Sequence, residues 1–328
     1  MKHLSIIVPE GENNISSITG AFEIFTKANL YWKKLYGVDV FQIQLVGLSE
    51  EITFNDGLFS VKPHVTISGV EKTNLIVIPS LNHNYELALT GNDRMIDWVE
   101  GQYRNGAEIA TICTGVYLLA SRGLLDGKSC STHWSVADNF RSRFPNVDLQ
   151  TDKLITYENG IYTNGGAYSF LNLMLCLVEK YFDRQTAIYC SKVFQIEIDR
   201  NSQSEFSIFS GQKLHDDDVI RQAQLFIEKN VSKRISIEAL SSQFAVGRRN
   251  FDRRFIKATG NTPIEYTQRV KVESAKKAME SSRKTIAEIM YEVGYSDVKA
   301  FREVFRKFTG MSPLEYRGRY HKESGIQL

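Results

Sequence analysis

Cys113 closes a short apolar run, Glu108-Ile-Ala-Thr-Ile112, and Thr114 and Gly115 lead on into a helical pattern. A cysteine at a strand-to-helix turn faces the positive end of the helix, which favours the thiolate and presents its sulfur. Twenty residues later Ser131, Thr132, His133 and Trp134 bring an imidazole. Thiolate and imidazole are the two parts of a nucleophile and its base. Spacing alone favours a structural role for the same residues, since free cysteines are often buried and a histidine can pack beside a tryptophan. The four cysteines (Cys113, Cys130, Cys176 and Cys190) show no CxxC or other metal spacing, so neither metal nor cofactor is expected.

A second chemistry is written twice near the C-terminal end. Phe251-Asp-Arg-Arg-Phe255 is followed by Thr259, Gly260, Pro263, Glu265 and Tyr266. Fifty residues on, Phe301-Arg-Glu-Val-Phe305 is followed by Thr309, Gly310, Pro313, Glu315 and Tyr316. Each copy follows a short apolar helix pattern: Ile237, Leu240 and Phe244, then Ile286, Ile289 and Val293. A helix, a tight turn and a cationic helix make a helix-turn-helix, whose second helix can lie in the major groove of double-stranded DNA. The paired phenylalanines share one helical stripe and read as core. The opposite faces carry the candidate contacts: Arg248, Arg249, Asp252 and Arg253 in the first unit, and Val298, Lys299, Arg302 and Arg306 in the second, with Lys307 directed at phosphate. Arginine suits guanine and valine the thymine methyl, while Asp252 either accepts from cytosine or pairs with a neighbouring arginine. Gly260 and Gly310 suit left-handed helix ends, and Pro263 and Pro313 suit first turns. Gly294 shapes the second unit's turn, and Gly247 stands at a cap position where serine is more usual.

These residues need elements to hold them. The first two hundred residues alternate strands and helices. Strands are expected over 4–8, 38–48, 75–78 and 108–112, helices over 18–34, 92–105, 168–182 and 184–199, and a hairpin over 154–163 turns at Asn159-Gly160. That alternation predicts an α/β doubly wound sheet. Polar residues at 200–215 read as a linker, and Asp216, Asp217 and Asp218 as a helix start. An all-α region follows, with one unbroken helix from Ile264 to Met279 joining the two units. The domains are therefore placed at 1–199 and 216–322. The net charge of +2 over 328 residues hides an asymmetry, with 23 Lys and Arg against 15 Asp and Glu from Lys213 onward, or +8, and −6 before it. A basic part joined to an acidic part suggests one polyanion-binding module and one with another task. No apolar run nears the roughly 18 residues that span a bilayer, so no membrane partner is expected. The opening residues enter a strand without a signal peptide, which points to the cytoplasm.

Two resemblances follow from these residues. Gly294-Tyr-Ser-Asp297, Phe301-x3-Phe305-Arg-Lys-Phe, Gly310-x-Ser-Pro313 and Glu315-Tyr-Arg317 resemble the AraC/XylS family of transcription factors. That resemblance implies a double helix-turn-helix whose two recognition helices enter successive major grooves about 10 base pairs apart. Gly106 through Gly115, Leu118-Leu-Ala120, Gly123-Leu-Leu-Asp-Gly127 and Thr132-His-Trp134 resemble the class I glutamine-amidotransferase-like superfamily, in its intracellular-protease-like branch. This resemblance implies a flavodoxin-like sheet with Cys113 on a nucleophile elbow. In chains fused to an AraC-type module it implies a sensing and dimerising domain for a small metabolite, often an amino acid or a quaternary ammonium compound, rather than an enzyme.

Three departures from that superfamily stand out. Ser17 falls where its enzymes carry an acid and Ala21 where they carry a proline. Pro79-Ser80-Leu81 replaces glycines that would expose backbone N–H groups, and Thr163–Ala167 fits only loosely. The expectation is thus a degenerate elbow at Cys113 and His133, with a ligand site formed by Ser17, Ser80, Leu81, Asn82, Cys113, Thr114, Gly115 and His133. The whole chain reads as a homodimeric, effector-controlled regulator that can contact RNA polymerase. The alternative is a cysteine-dependent hydrolase or hydratase tethered to a DNA-binding module.

Overall fold

A computed structural model describes residues 1–82, 85–198, 200 and 202–321. The chain divides between Gln203 and Ser204 into two compact units. Asp199 and Lys322, the domain ends read from sequence, lie outside the described residues.

The first unit is built on a seven-stranded sheet in the order Ile155–Glu158, Ile161–Asn164, Glu108–Ile112, Leu75–Ile78, Lys2–Val8, Phe41–Gly47, Val65–Thr66. Every pairing is parallel except the edge hairpin, where Ile155 lies opposite Asn164. The central strand Leu-Ile-Val-Ile is buried on both faces, which is why its sequence shows a continuous apolar run without alternation. Leu75 and Val77 join one core with helices Ile15–Tyr36, Phe170–Tyr181 and Arg184–Phe194. Ile76 and Ile78 join the other, with Asp93–Arg104, Val116–Ala120 and Ala137–Arg143. Helices on both faces of a parallel sheet make the flavodoxin-like, doubly wound arrangement. The Asn159-Gly160 turn has positive φ at both residues, 50° and 80°, as a tight hairpin requires.

Several boundaries differ from the periodicity. The strand expected over 38–48 begins at Phe41, because Gly37 ends the preceding helix in the left-handed region and the Asn29 amide spans the turn, bonding Phe41 N and O. The helix expected to run to residue 199 stops at Phe194, where Gln195 turns left-handed at φ 55°. A small hairpin, Ile52–Phe54 with Phe59–Val61, adds to the sheet count.

The second unit is helical: Asp218–Lys229, Ile237–Gln243, Arg248–Thr259, Pro263–Ser281, Ile286–Glu292, Val298–Thr309 and Pro313–Tyr320. Three of these starts are reciprocal capping boxes, Thr262 with Glu265, Thr285 with Glu288 and Ser312 with Glu315, each satisfying two orphan N–H groups. The stretch 200–215 is not a free linker. Gln203 is 2% exposed within the first unit. In the second unit Phe209 packs edge-on against Tyr266, and its N–H donates to Glu273. Glu273 forms a buried ion pair with Lys276 at 2.8 Å, and Lys276 also donates to Ser207 O. Two buried charges need partners on every side, and the polar-looking segment supplies them.

Candidate ligand cavity and nucleic-acid interface

Cys113 sits at the end of its strand with φ at 54°, a left-handed conformation that a non-glycine residue adopts at a cost. A single 3-10 turn, Cys113–Gly115, leads into the helix Val116–Ala120. Gly115 lets this turn approach the sheet, since a Cβ there would lie 2.6 Å from Pro79 O. The Cys113 thiol lines a cavity of about 220 Å³, with Ser17, Ser80, Leu81, Asn82, Thr114 and His133 around it. Seven of the eight residues expected there meet at this cavity, and Gly115 packs behind it instead. Burial pushes the Cys130 thiol up to about 12 and Cys190 to about 11, which suits both to core packing.

The polar groups of the cavity wall are tied to one another. Ser17 Oγ donates to Asn14 O at 2.6 Å and accepts from Ser80 N at 3.1 Å. Thr114 Oγ1 accepts from Leu81 N at 2.9 Å and donates to Leu81 O at 2.7 Å. Asn82 N donates to Glu12 O at 3.0 Å. The Nδ1 of His133 lies 2.7 Å from Ser135 Oγ and accepts from Ser135 N at 3.2 Å. Burial lowers the pKa of His133, so its ring is neutral near pH 7.

In the second unit Phe251, Phe255 and Tyr266 form one small core, and Phe301, Phe305 and Tyr316 the equivalent one. The outward faces differ. Arg248 Nε reaches both oxygens of Asp252, at 3.0 and 2.9 Å, and its guanidinium also pairs with Glu238. Arg249 and Arg253 are exposed, Arg253 donating to Asn250 at 3.0 Å. On the second recognition helix Val298, Lys299, Arg302, Arg306 and Lys307 are all exposed, with Lys307 also 3.4 Å from Glu265. Asp297 caps that helix through Ala300 N at 2.6 Å, whereas Gly247 leaves the first without a side-chain cap.

Comparison with known proteins matches these two halves separately. A helix-turn-helix domain model matches residues 240–319, and the DJ-1/PfpI family model matches residues 21–180. The chain joins a DJ-1/PfpI domain to an AraC-type helix-turn-helix domain. Among its relatives are the HTH-type transcriptional regulators GbdR and ArgR of Pseudomonas aeruginosa. GbdR is 25% identical over 223 residues, 68% of this chain and 60% of GbdR. ArgR is 28% identical over 225 residues, 68% of each protein. This chain thus spans less than two thirds of GbdR. The fold of the DJ-1/PfpI domain is shared with DJ-1beta of Drosophila melanogaster, at a TM-score of 0.50 and 18% identity over 60% of this chain and 98% of that one. It is shared also with a solved candidate transcriptional regulator of Vibrio parahaemolyticus, at a TM-score of 0.53 and 25% identity over 58% of this chain and 98% of that one.

Within the DJ-1/PfpI domain, the three successive N–H groups of Ser80, Leu81 and Asn82 are all engaged by the protein itself. An oxyanion needs such donors free and aimed at it. Residues that the sequence did not single out also line the cavity, Asn14, Ile112, Ser135 and Val136, together with Ala167 of the loosely fitting Thr163–Ala167 segment. Asn14 was findable as a helix-start signal, since its side chain caps the helix that carries Ser17. Asn164, fully buried, holds Gly166 in place by accepting from its N–H at 2.8 Å. Among the described residues no helix is long and apolar enough to cross a membrane, and no group of three His, Cys, Asp or Glu is placed to hold a metal ion.

In the AraC-type domain Asp217 caps the first helix through Ile220 N at 3.2 Å and grips Arg254 of the first recognition helix at 2.8 and 2.6 Å. The bonds from Arg254 lower the Asp217 pKa. A carboxyl depressed on folding stabilises fully above its unfolded pKa and loses that contribution as pH falls through the folded one. Asp217→Ala should therefore cost about 1 kcal/mol at pH 7, from the lost cap. Urea unfolding should show this difference shrinking below the ordinary aspartate range. A gap that persists undiminished in acid would contradict the assignment.

Proposed function

We propose that the chain is a sequence-specific DNA-binding transcriptional regulator that acts in the cytoplasm as a homodimer and is controlled by a small metabolite held in the Cys113 cavity. The observation that carries this reading is the pair of recognition helices, each rooted in its own aromatic core and each presenting exposed cationic residues. The regulator names of the relatives support it. Control follows by linkage: a metabolite that binds two arrangements of the dimer unequally shifts how the DNA modules are presented, to operator and to RNA polymerase. The domain binds without turnover. Its elbow survives, but Ser17 offers a hydroxyl in place of a carboxylate, His133 Nδ1 is committed to Ser135, and the Ser80–Asn82 donors are occupied. A tethered cysteine hydrolase or hydratase is correspondingly not favoured.

Selection from random duplexes tests the reading directly. The recovered sites should show two blocks about 10 base pairs apart. No preference over scrambled competitor at moderate salt would end it. On a recovered site, Arg302→Ala should cost about 1–3 kcal/mol and relax choice at one base step, whereas Lys307→Ala should weaken all sequences alike. Competition titrations with single-base variants separate the two outcomes. A thermal-shift screen of metabolites addresses the cavity, and silence across a broad set would count against the effector.

A further inference from the structure

The helix Pro263–Ser281, which joins the two DNA-reading units, carries two buried lysines with different partners. Lys276 faces the carboxylate of Glu273. Lys271, only 6% exposed, has its ammonium among backbone carbonyls: Val293 O at 2.7 Å, Lys233 O at 3.1 Å and Gly294 O at 3.4 Å. The Tyr295 ring lies 5.4 Å from the same nitrogen. Val293 and Gly294 form the turn of the second helix-turn-helix, between Ile286–Glu292 and Val298–Thr309. Lys233 belongs to the first helix-turn-helix, in the loop between Asp218–Lys229 and Ile237–Gln243.

An ammonium has three protons to donate, and here they meet three carbonyls drawn from both helix-turn-helices. The negative end of the Ile286–Glu292 helix adds to the attraction. The fit is close. A Cβ on Gly294 would lie 2.5 Å from Ser232 O and 2.6 Å from Lys271 Nζ, so the two loops touch at this point. Burial pushes the Lys271 pKa down, in line with a charge satisfied by dipoles alone. Such a charge is tolerable only while the carbonyls converge, because a buried donor that loses its partners costs far more than the bond contributes. Any rotation of one helix-turn-helix against the other would break that convergence.

We propose that Lys271 is the positioning residue that sets the register between the two recognition helices, and through it the spacing of the two base blocks the protein accepts. The spacing half of this statement rests on the DNA-binding reading above; the register half does not. A thioether of similar length would fill the same space and leave three carbonyls without a donor. An arginine would keep the cation and its donors.

Two measurements on the full chain decide it. Spin labels at Lys257 and Glu303, exposed positions on the two recognition helices, report their separation in the absence of DNA, with exposed Cys176 replaced by serine. The wild type should give one narrow distance, Lys271→Met a broadened or shifted distribution, and Lys271→Arg the wild-type one. The second measurement uses duplexes recovered by selection with the wild-type protein. One inserted base pair turns the second block by about 34°, and the wild type should lose about tenfold or more in affinity. Lys271→Met should bind native and lengthened spacers within about twofold of each other, its affinity for a single isolated block being retained. A residue that only contributed stability would lower the melting temperature and leave both readouts unchanged. Should Lys271→Met fail to melt cooperatively, Lys271→Gln takes its place. An unchanged distance distribution overturns the proposal, as does an undiminished spacer penalty in a folded variant. If the wild type selects no duplex, the DNA-binding reading falls while the spin-label result still decides the register.

Discussion

Gly166→Ala should destabilise the DJ-1/PfpI domain by about 2–5 kcal/mol and abolish any response to a ligand of the Cys113 cavity. Two independent costs add. Gly166 has φ 96° and ψ −169°, a region that only glycine occupies without strain. A Cβ there would also lie 2.5 Å from Cys113 Sγ and 3.1 Å from His133 Cβ. Neither neighbour can yield easily. Cys113 is held in its own left-handed conformation, and its carbonyl accepts from Thr132 at 3.0 Å. Gly11→Ala is the control, for Gly11 has φ 84° with nothing within 4 Å of a built Cβ. Its cost should be the conformational one alone, about 1–2 kcal/mol. Denaturant unfolding of both variants gives the comparison, and equal losses would mean that the close approach to Cys113 is not what Gly166 serves.

Gly294→Ala should cost the AraC-type domain a similar 2–5 kcal/mol, roughly, and remove specific DNA binding. Gly310 has the same φ, 74°, with open space around its Cβ position. Its replacement by alanine should cost only about 1–2 kcal/mol. The difference isolates steric contact from backbone strain. At Gly294 the obstacle is Ser232 O, a backbone atom that no rotamer change can move, together with the pinned ammonium of Lys271. Thermal unfolding and a binding titration on each variant test this. A Gly294→Ala protein as stable as Gly310→Ala would show that the two loops are not held together there.

Much of the helix-turn-helix half was legible in sequence because its determinants are local. A phenylalanine stripe repeats at four residues, a cap lies three residues from the N–H it serves, and Gly260 and Gly310 end their helices in the left-handed region. The paired aromatic cores follow from the same spacing. The outward face was less legible. Arg248 and Asp252 stand one helical turn apart, so their pairing was foreseeable, but Glu238 comes from the preceding helix and completes the clamp.

Sequence by itself determined the element types, the central apolar strands, the elbow position of Cys113 and the tandem recognition helices, all of which rest on periodicity or on residues a few places apart. Tertiary structure alone decided which backbone donors remain free at the cavity. Ser80 meets Ser17 across 63 positions and Leu81 meets Thr114 across 33, so the fate of the oxyanion donors cannot be read from either segment alone. It also decided that 204–215 is packed rather than loose, since that segment satisfies the buried Glu273–Lys276 pair roughly seventy residues away. A buried polar group must find a partner wherever the fold brings one, and sequence distance places no limit on where that is.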